Sequence, residues 1–559
     1  MAGAVPDSAT VQDGADTPAE PAAATLADRV RLAAASRPDQ PALLWSDGVR
    51  SWAELDAEVD RVATALRRRA AGPTDGHPAR VAIALANTPE FVAAFFGTQR
   101  AGLVAVPVNP TLTGPELRHI LADSAASILI CTEQVRSAVD GVRAELPALT
   151  ELHTALSTLT GLSTPTGPPA LTGPAVGGPV RTDPEAVAVL LYTSGTTGEP
   201  KGAMLSHRAL LANHEQVGRI TPPVVGADDR VLLALPLFHA YGLNAGLGAV
   251  AYHGACGVLV DRFDAAGVLE VVARHWVSVL VGVPSMFVGW TMLPEAPALR
   301  TAMASVRVAI CGAAPLAVGG ATRFAEATGR RIQVGYGLTE TAPVLTTTLS
   351  AGPEVKPNSI GRPIPGVELR LVAADGEELW RDGSTVEPAD GGDDVDEPDL
   401  ELPSSGTDPG EIVVRGANLF SGYWPDGHGG PDADGWWRTG DVAYADAAGD
   451  LFLVDRLGEL ILVNGFNVYP QEVERVLGAH PEVVESVVFG RPDPVTGEAV
   501  TAHVVLAPDS DVSAAELAAH CARSLARFKC PSRIEFVGSL PLSAIGRVRR
   551  SVVRPEGRE

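Results

Sequence analysis

YTSGTTGEPKG, residues 192–202, follows the apolar run AVAVLL at 186–191, so a strand-like segment runs into a turn rich in glycine and hydroxyls that ends in a lysine. Glycine lets backbone N–H groups close around anionic oxygens, Ser and Thr hydroxyls add donors, and a lysine adds a point charge. The stretch therefore reads as a phosphate-binding loop with Thr193, Ser194, Gly195, Thr196, Thr197, Gly198 and Lys201 as contacts. No Gly-Lys-Ser/Thr triplet follows the glycines, so it is not the loop of kinases and GTPases.

Outward from this loop, short β-rich runs at 81–85, 128–131, 231–235, 277–281 and 306–311 alternate with amphipathic stretches. That alternation predicts a large α/β domain over residues 25–454 containing parallel sheet. Within it, the Thr/Pro/Gly-rich residues 157–184 read as a surface linker. Residues 382–411 hold eleven acidic residues and no Lys or Arg, which reads as a solvated loop in preference to a docking site. Residues 1–24 carry no periodic apolar pattern and read as a disordered leader. The pattern changes at the tract DRLGEL, 455–460. Beyond it a helix opened by Pro470, strands at 483–489 and 502–506, a helix at 514–527 and a strand at 534–537 predict a small α+β lid domain, 455–559.

Composition narrows the function classes. The 559 residues carry a formal charge of −24, which excludes an extended cationic face for nucleic acid or anionic membrane. A phosphorylated substrate must then be captured by local donors and a metal. Five dispersed cysteines without metal-ligand spacing read as free thiols of a cytoplasmic protein. No signal peptide is read at the N-terminus, and the most apolar segment, 241–260, is broken by Asn244, His253 and glycines, making it a poor membrane span.

The loop YTSGTTGEPKG resembles the phosphate loop of the adenylate-forming superfamily of acyl-CoA synthetases, nonribosomal-peptide adenylation domains and luciferases. Further segments follow in that family's order: LPLFHAYG at 235–242, CGAAPL at 311–316, GYGLTET at 335–341, WWRTGD at 436–441 and DRLGELILVNGFNVYPQEVE at 455–474. The resemblance spans about residues 30–550 and points to the acyl-CoA synthetase branch. It implies ATP, AMP or acyl-AMP, coenzyme A and Mg²⁺ as cofactors, and a small carboxylic acid or its adenylate as substrate. It also implies Glu340 as a hard oxygen ligand for Mg²⁺, Thr339 as a donor to the α-phosphate, and Tyr336 beside Gly337 as a stacking face for adenine. Gly312, Ala313 and Ala314 would let backbone approach the base, Asp441 would accept the ribose hydroxyls, and Arg456 would hold ribose or phosphate. His239 would border the carboxylate and the thiol entry path, and Gly465 would line the pantetheine tunnel. The glycines at 242, 246, 248, 254 and 257 either make room for an acyl group or permit close packing; the sequence leaves both open.

Two positions depart from the resemblance: Gly458 in DRLGEL stands at the hinge, where the family usually carries Lys or Asp, and the other lies near the C-terminus. In PLSAIGRVRR, 541–550, Arg547 stands where the family carries a lysine that contacts substrate carboxylate and α-phosphate during adenylation. A planar guanidinium does not reproduce a compact ammonium, and one misplaced transition-state donor costs on the order of 10²–10³ in rate. The expectation is an acyl-CoA ligase with impaired adenylation, its adenylate supplied by a partner enzyme. The alternatives are a complete ATP-dependent carboxylic acid–CoA ligase, an enzyme that loads a separate carrier protein, and a catalytically silent nucleotide-binding protein.

Overall fold

The computed structural model describes residues 24–70, 76–161, 182–193, 200–293, 296–316, 318–352, 355–384, 406–456, 461–463, 466–468, 470–493, 497–508, 510–525, 527–541, 548 and 553. Three sheets carry the chain. A six-stranded sheet runs in the order Glu151–His153, Ile128–Cys131, Arg80–Ala84, Val104–Pro107, Val187–Thr193, Lys201–Ser206. All of its pairs are parallel except the last, where Val187–Thr193 and Lys201–Ser206 form an antiparallel stem. Arg80–Ala84, Val104–Pro107 and Ile128–Cys131 are covered on both faces and so are largely apolar runs, while the edge strand Glu151–His153 is half-buried.

A fourteen-stranded sheet contains the rest of the large domain's strands. Its parallel part comprises Pro41–Trp45, Cys256–Leu259, Arg230–Leu233, Val279–Gly282, Val308–Cys311 and Ile332–Gly337. The chain then turns antiparallel through Val344–Thr347 and Ser359–Pro363 to Leu451–Arg456 and Trp437–Ala445. This change of direction brings Ile332–Gly337 and Trp437–Ala445 into one sheet, although about a hundred residues of chain separate them. The third sheet holds Phe466–Val468, Ile461–Val463, Gly497–Leu506 and Val483–Asp493, with Arg533–Phe536 added parallel to Gly497–Leu506. Its own apolar core includes Val473, Leu477, Val488, Ala502, Val504 and Leu517. The fold is an α/β N-terminal part with a smaller α+β C-terminal part.

Several expectations need correction. The predicted linker begins inside a short helix, Leu156–Thr160, because Leu156 and Leu159 find a buried apolar site; residues 162–181 lie outside the described set. The acidic stretch ends in strand Gly410–Gly416, whose Glu411 is buried against Arg438, while 385–405 lie outside the described residues. The predicted helix 514–527 stops at Cys521, and the strands predicted at 483–489 and 502–506 lengthen to Val483–Asp493 and Gly497–Leu506 because they pair with each other along their length.

Among the described residues no helix is long and apolar enough to cross a membrane. The apolar segment at 241–260 instead forms a π-helical stretch, Tyr241–Gly248, a short helix, Ala249–His253, and strand Cys256–Leu259.

Candidate active site

Tyr336 lies near the end of strand Ile332–Gly337, and Asp441 sits within Trp437–Ala445 directly across from Arg456. The Tyr336 hydroxyl donates to Asp441 Oδ2 at 2.7 Å, joining the two motifs that the sequence placed far apart. Asp441 is buried, and its backbone is set by its own N–H, which donates to Thr439 Oγ1 at 3.1 Å. The Thr439 hydroxyl in turn donates to the carbonyl of Ile412 at 2.9 Å. For Arg456 only the backbone is described.

Just past Tyr336 the chain reverses. A Cβ at Gly337 would lie 1.7 Å from the Pro343 carbonyl oxygen, so only glycine admits this return. The reversal contains a single 3₁₀ turn, Thr339–Thr341, with Glu340 buried and Thr339 half-buried. Three buried asparagines from three separate segments hold it. Asn418 donates to the Thr341 carbonyl at 2.7 Å, Asn244 to the Ala342 carbonyl at 2.6 Å, and Asn213 to the Val344 carbonyl at 2.8 Å. Asn244 is itself fixed by His214, whose Nε2–H donates to Asn244 Oδ1 at 2.9 Å. Burial pushes the His214 imidazole down to about 3, so it acts as a neutral donor.

The Glu340 carboxylate accepts from the Tyr423 hydroxyl at 2.7 Å, and its carbonyl accepts from the Phe420 N–H at 2.9 Å. Tyr423 stands there because residues 421–424 run alongside strand Lys201–Ser206: Met204 N donates to Gly422 O at 3.0 Å and Trp424 N to Gly202 O at 2.8 Å. The same pairing brings Lys201 to 5.6 Å from the centre of the Tyr423 ring. Lys201 and Glu340 thus flank one tyrosine. Tyr423 and the three asparagines escaped the sequence reading, because a lone Tyr or Asn carries no spacing signal. Only the fold aims them at one turn.

Thr193 and Lys201 pair directly across the antiparallel stem, with Thr193 half-buried and Lys201 exposed. Ser194, Gly195, Thr196, Thr197, Gly198, Gly465 and Arg547 lie outside the described residues. His239 is half-buried, and its carbonyl accepts from Leu243 N at 2.8 Å at the start of the π-helical stretch. Ala313 adopts φ of 68°, a left-handed conformation unusual for alanine, beside buried Gly312 and half-buried Ala314. The space a Cβ at Gly312 would fill is taken by the ring of Tyr241, 3.0 Å away.

The structure also decides the question left by the surrounding glycines. A Cβ at Gly242 would lie 2.4 Å from Pro236 O, at Gly248 2.4 Å from Asn244 Oδ1, and at Gly257 2.7 Å from Leu233 Cδ1. These three permit close packing, while Gly254 caps its helix at φ of 66°.

A hard oxygen donor suits Mg²⁺, and the buried Glu340 carboxylate supplies one. Among the described residues no group of three or more His, Cys, Asp or Glu could form a metal site. A single carboxylate is the kind of protein donor Mg²⁺ takes when substrate phosphates would supply further oxygens.

Residues 30–424 match the model of the AMP-binding enzyme family, and residues 472–547 match the AMP-binding enzyme C-terminal domain. The chain belongs to the AMP-binding enzymes. It is 35% identical over 511 residues to a feruloyl-CoA synthase of Amycolatopsis sp, covering 90% of this chain and 93% of the relative. An indoleacetate–CoA ligase of Aromatoleum aromaticum is 32% identical, covering 95% of this chain and 97% of that protein. Among solved structures, ATP-bound MatB from Rhodopseudomonas palustris superposes with a TM-score of 0.79 at 29% identity, covering 95% of this chain and 98% of that one. This AMP-binding enzyme is an acid–thiol ligase of the acyl-CoA synthetase type, with ATP, acyl-AMP, coenzyme A and Mg²⁺ as its cofactors.

Proposed function

We propose that this ligase couples a small carboxylic acid to coenzyme A through an acyl-adenylate, and that its ATP-dependent half-reaction is the weaker of the two. The observation that carries the second clause is Arg547, inside the matched C-terminal segment at the position where the family resemblance places lysine.

In the first half-reaction a carboxylate oxygen attacks the α-phosphorus and the bond to the β-phosphate oxygen breaks, releasing pyrophosphate. Thr193 and Lys201, with residues 194–198, hold the phosphates. Glu340 would hold Mg²⁺, which when bound would offset phosphate charge. Thr339 donates to the α-phosphate. Asp441 accepts from the ribose, and Arg456 supports it from the paired strand. Tyr336 and Gly337, with Gly312 to Ala314 across from them, border the adenine. Arg547 brings its charge to this step in a fork geometry that stabilises the developing charge less well than an ammonium.

In the second half-reaction the thiol sulfur attacks the acyl carbon and AMP leaves. Gly465 lines the thiol path and His239 borders it. The C-terminal domain, from about residue 455, turns between the two steps as a lid and withdraws Arg547, so the thioester step does not depend on it. An adenylate supplied by a separate adenylating enzyme would then feed this ligase.

The feruloyl and indoleacetate relatives support a ring-bearing acid. The deciding experiment assays the two half-reactions separately, pyrophosphate exchange into ATP and thioester formation from acyl-AMP, across a panel of acids and their adenylates. The expected result is thioester formation far faster than exchange. Comparable rates would leave a complete ATP-dependent ligase, and transfer to a holo carrier protein in preference to coenzyme A would replace the acceptor.

A further inference from the structure

Helix Gly114–Asp123 begins in a capping box, with Thr113 and Glu116 bonded at its start, and buries Leu117, Ile120 and Leu121. His119 and Asp123 stand four residues apart, which places them one above the other on a single helix face. Asp123 sits in the last turn, where a carboxylate opposes the helix dipole, so helix stability alone does not account for it.

That face meets both sides of the antiparallel stem. On one side the Tyr192 hydroxyl donates to Asp123 Oδ2 at 2.6 Å. On the other, His119 Nε2–H donates to the Pro200 carbonyl at 2.8 Å. The rings of His119 and Tyr192 meet edge-on at 6.4 Å. Burial, followed by the hydrogen bond to Asp123, holds the Tyr192 hydroxyl far above its usual range, so it remains a donor. Tyr192 pairs with Gly202 across the stem, where a Cβ at Gly202 would lie 3.2 Å from the Tyr192 ring.

A third tie reaches the same helix end. Trp424 Nε1–H donates to the Asp123 carbonyl at 3.0 Å, one residue beyond the tyrosine that bonds Glu340. One helix terminus thereby holds both sides of the stem and the segment that carries Tyr423.

We propose that His119 and Asp123 are positioning residues that set the spacing of the stem, so that Thr193 and Lys201 meet the outer phosphates of ATP in register. This inference rests on the phosphate-binding reading of the stem given above. Its consequence is selective. ATP needs the stem, whereas AMP lacks the outer phosphates and does not.

The test is calorimetric titration of the full chain with Mg-ATP and, separately, with AMP. His119→Ala and Asp123→Ala should each weaken Mg-ATP binding by about three- to tenfold, the range for one lost hydrogen bond, with AMP affinity and melting temperature near wild type. His119→Gln keeps an N–H donor and Asp123→Asn keeps an acceptor, so both should recover most of the loss. A simple folding role would lower AMP affinity in parallel and would overturn the proposal, as would Mg-ATP affinity within about twofold of wild type in both alanine variants. Lys201→Ala separates the two layers. If it weakens Mg-ATP binding while the alanine variants of His119 and Asp123 do not, only the positioning role fails. If it leaves Mg-ATP affinity unchanged, the phosphate reading of the stem fails and takes this inference with it.

Discussion

The Glu340 turn in the large domain and the sheet of the small domain solve different problems. Around Glu340, buried polar side chains converge from distant parts of the chain: Asn213, Asn244, Asn418 and Tyr423 each satisfy a backbone or carboxylate partner. Such an arrangement resists movement, because each side chain that moved would leave a buried partner without its hydrogen bond. The small domain instead closes on apolar side chains drawn from one continuous stretch of sequence. Among its described residues it also holds a charged pair, Lys529 Nζ donating to Glu472 Oε1 at 3.0 Å, which ties helix Pro470–Gly478 to the segment before strand Arg533–Phe536. A site that holds a nucleotide through both half-reactions benefits from rigidity. On the proposed mechanism, a small domain that turns between the two half-reactions benefits from a core of its own.

The largest expected effect breaks the small domain alone. Lys529→Met strands the Glu472 carboxylate in a buried position, and removing one partner of such a pair costs about 3–5 kcal/mol. Hydrogen exchange should show protection lost over residues 470–541, while AMP binding to the large domain survives. Equal loss of protection in both domains would mean that they fold as one unit.

Arg547→Lys sharpens the contrast from the side of chemistry. Restoring an ammonium should raise pyrophosphate exchange by roughly one to three powers of ten, the range for single transition-state donors. Thioester formation from acyl-AMP should barely change. A rise in both rates would point to a general effect on lid folding.

Acid should attack the large domain through its buried histidines. Burial lowers His214 to about 3 and His207 to about 4, both below the ordinary 6.5. With folded values depressed, the unfolded chain binds more protons, so stability is full above about pH 6.5 and falls as pH drops below it. Each group should remove about 2 kcal/mol between pH 7 and pH 5. Urea melts of the large domain should show this slope, and His214→Gln, which keeps a donor for Asn244, should reduce it by about half. An unchanged slope would mean that His214 is protonated or accessible in the folded protein.

The smallest effect is expected from deleting residues 385–405. The acidic stretch reads as solvated, so both half-reactions and the melting temperature should stay close to wild type. A selective fall in either rate would instead support the docking role for this stretch.

The family was legible because its signals are local. A glycine-rich turn after a buried strand, a Thr-Glu pair after Gly-Tyr-Gly, and an Asp after Trp-Arg-Thr-Gly keep their spacing whatever the rest of the chain does. Period and composition likewise carried the α/β alternation and the change near residue 455, since strand and helix patterns depend on neighbours in sequence. The tertiary structure alone decided which of these segments meet. Tyr336 and Asp441 are 105 residues apart and share a hydrogen bond only because the sheet turns antiparallel between them. Tyr423 reaches Glu340, and His119 reaches Pro200, through contacts that no periodicity encodes. The glycines near His239 had two open readings until backbone neighbours at 2.4–2.9 Å from a Cβ at Gly242 selected close packing. Hydrogen bonds and close contacts act over a few ångströms of space, and separation along the chain gives no measure of that distance.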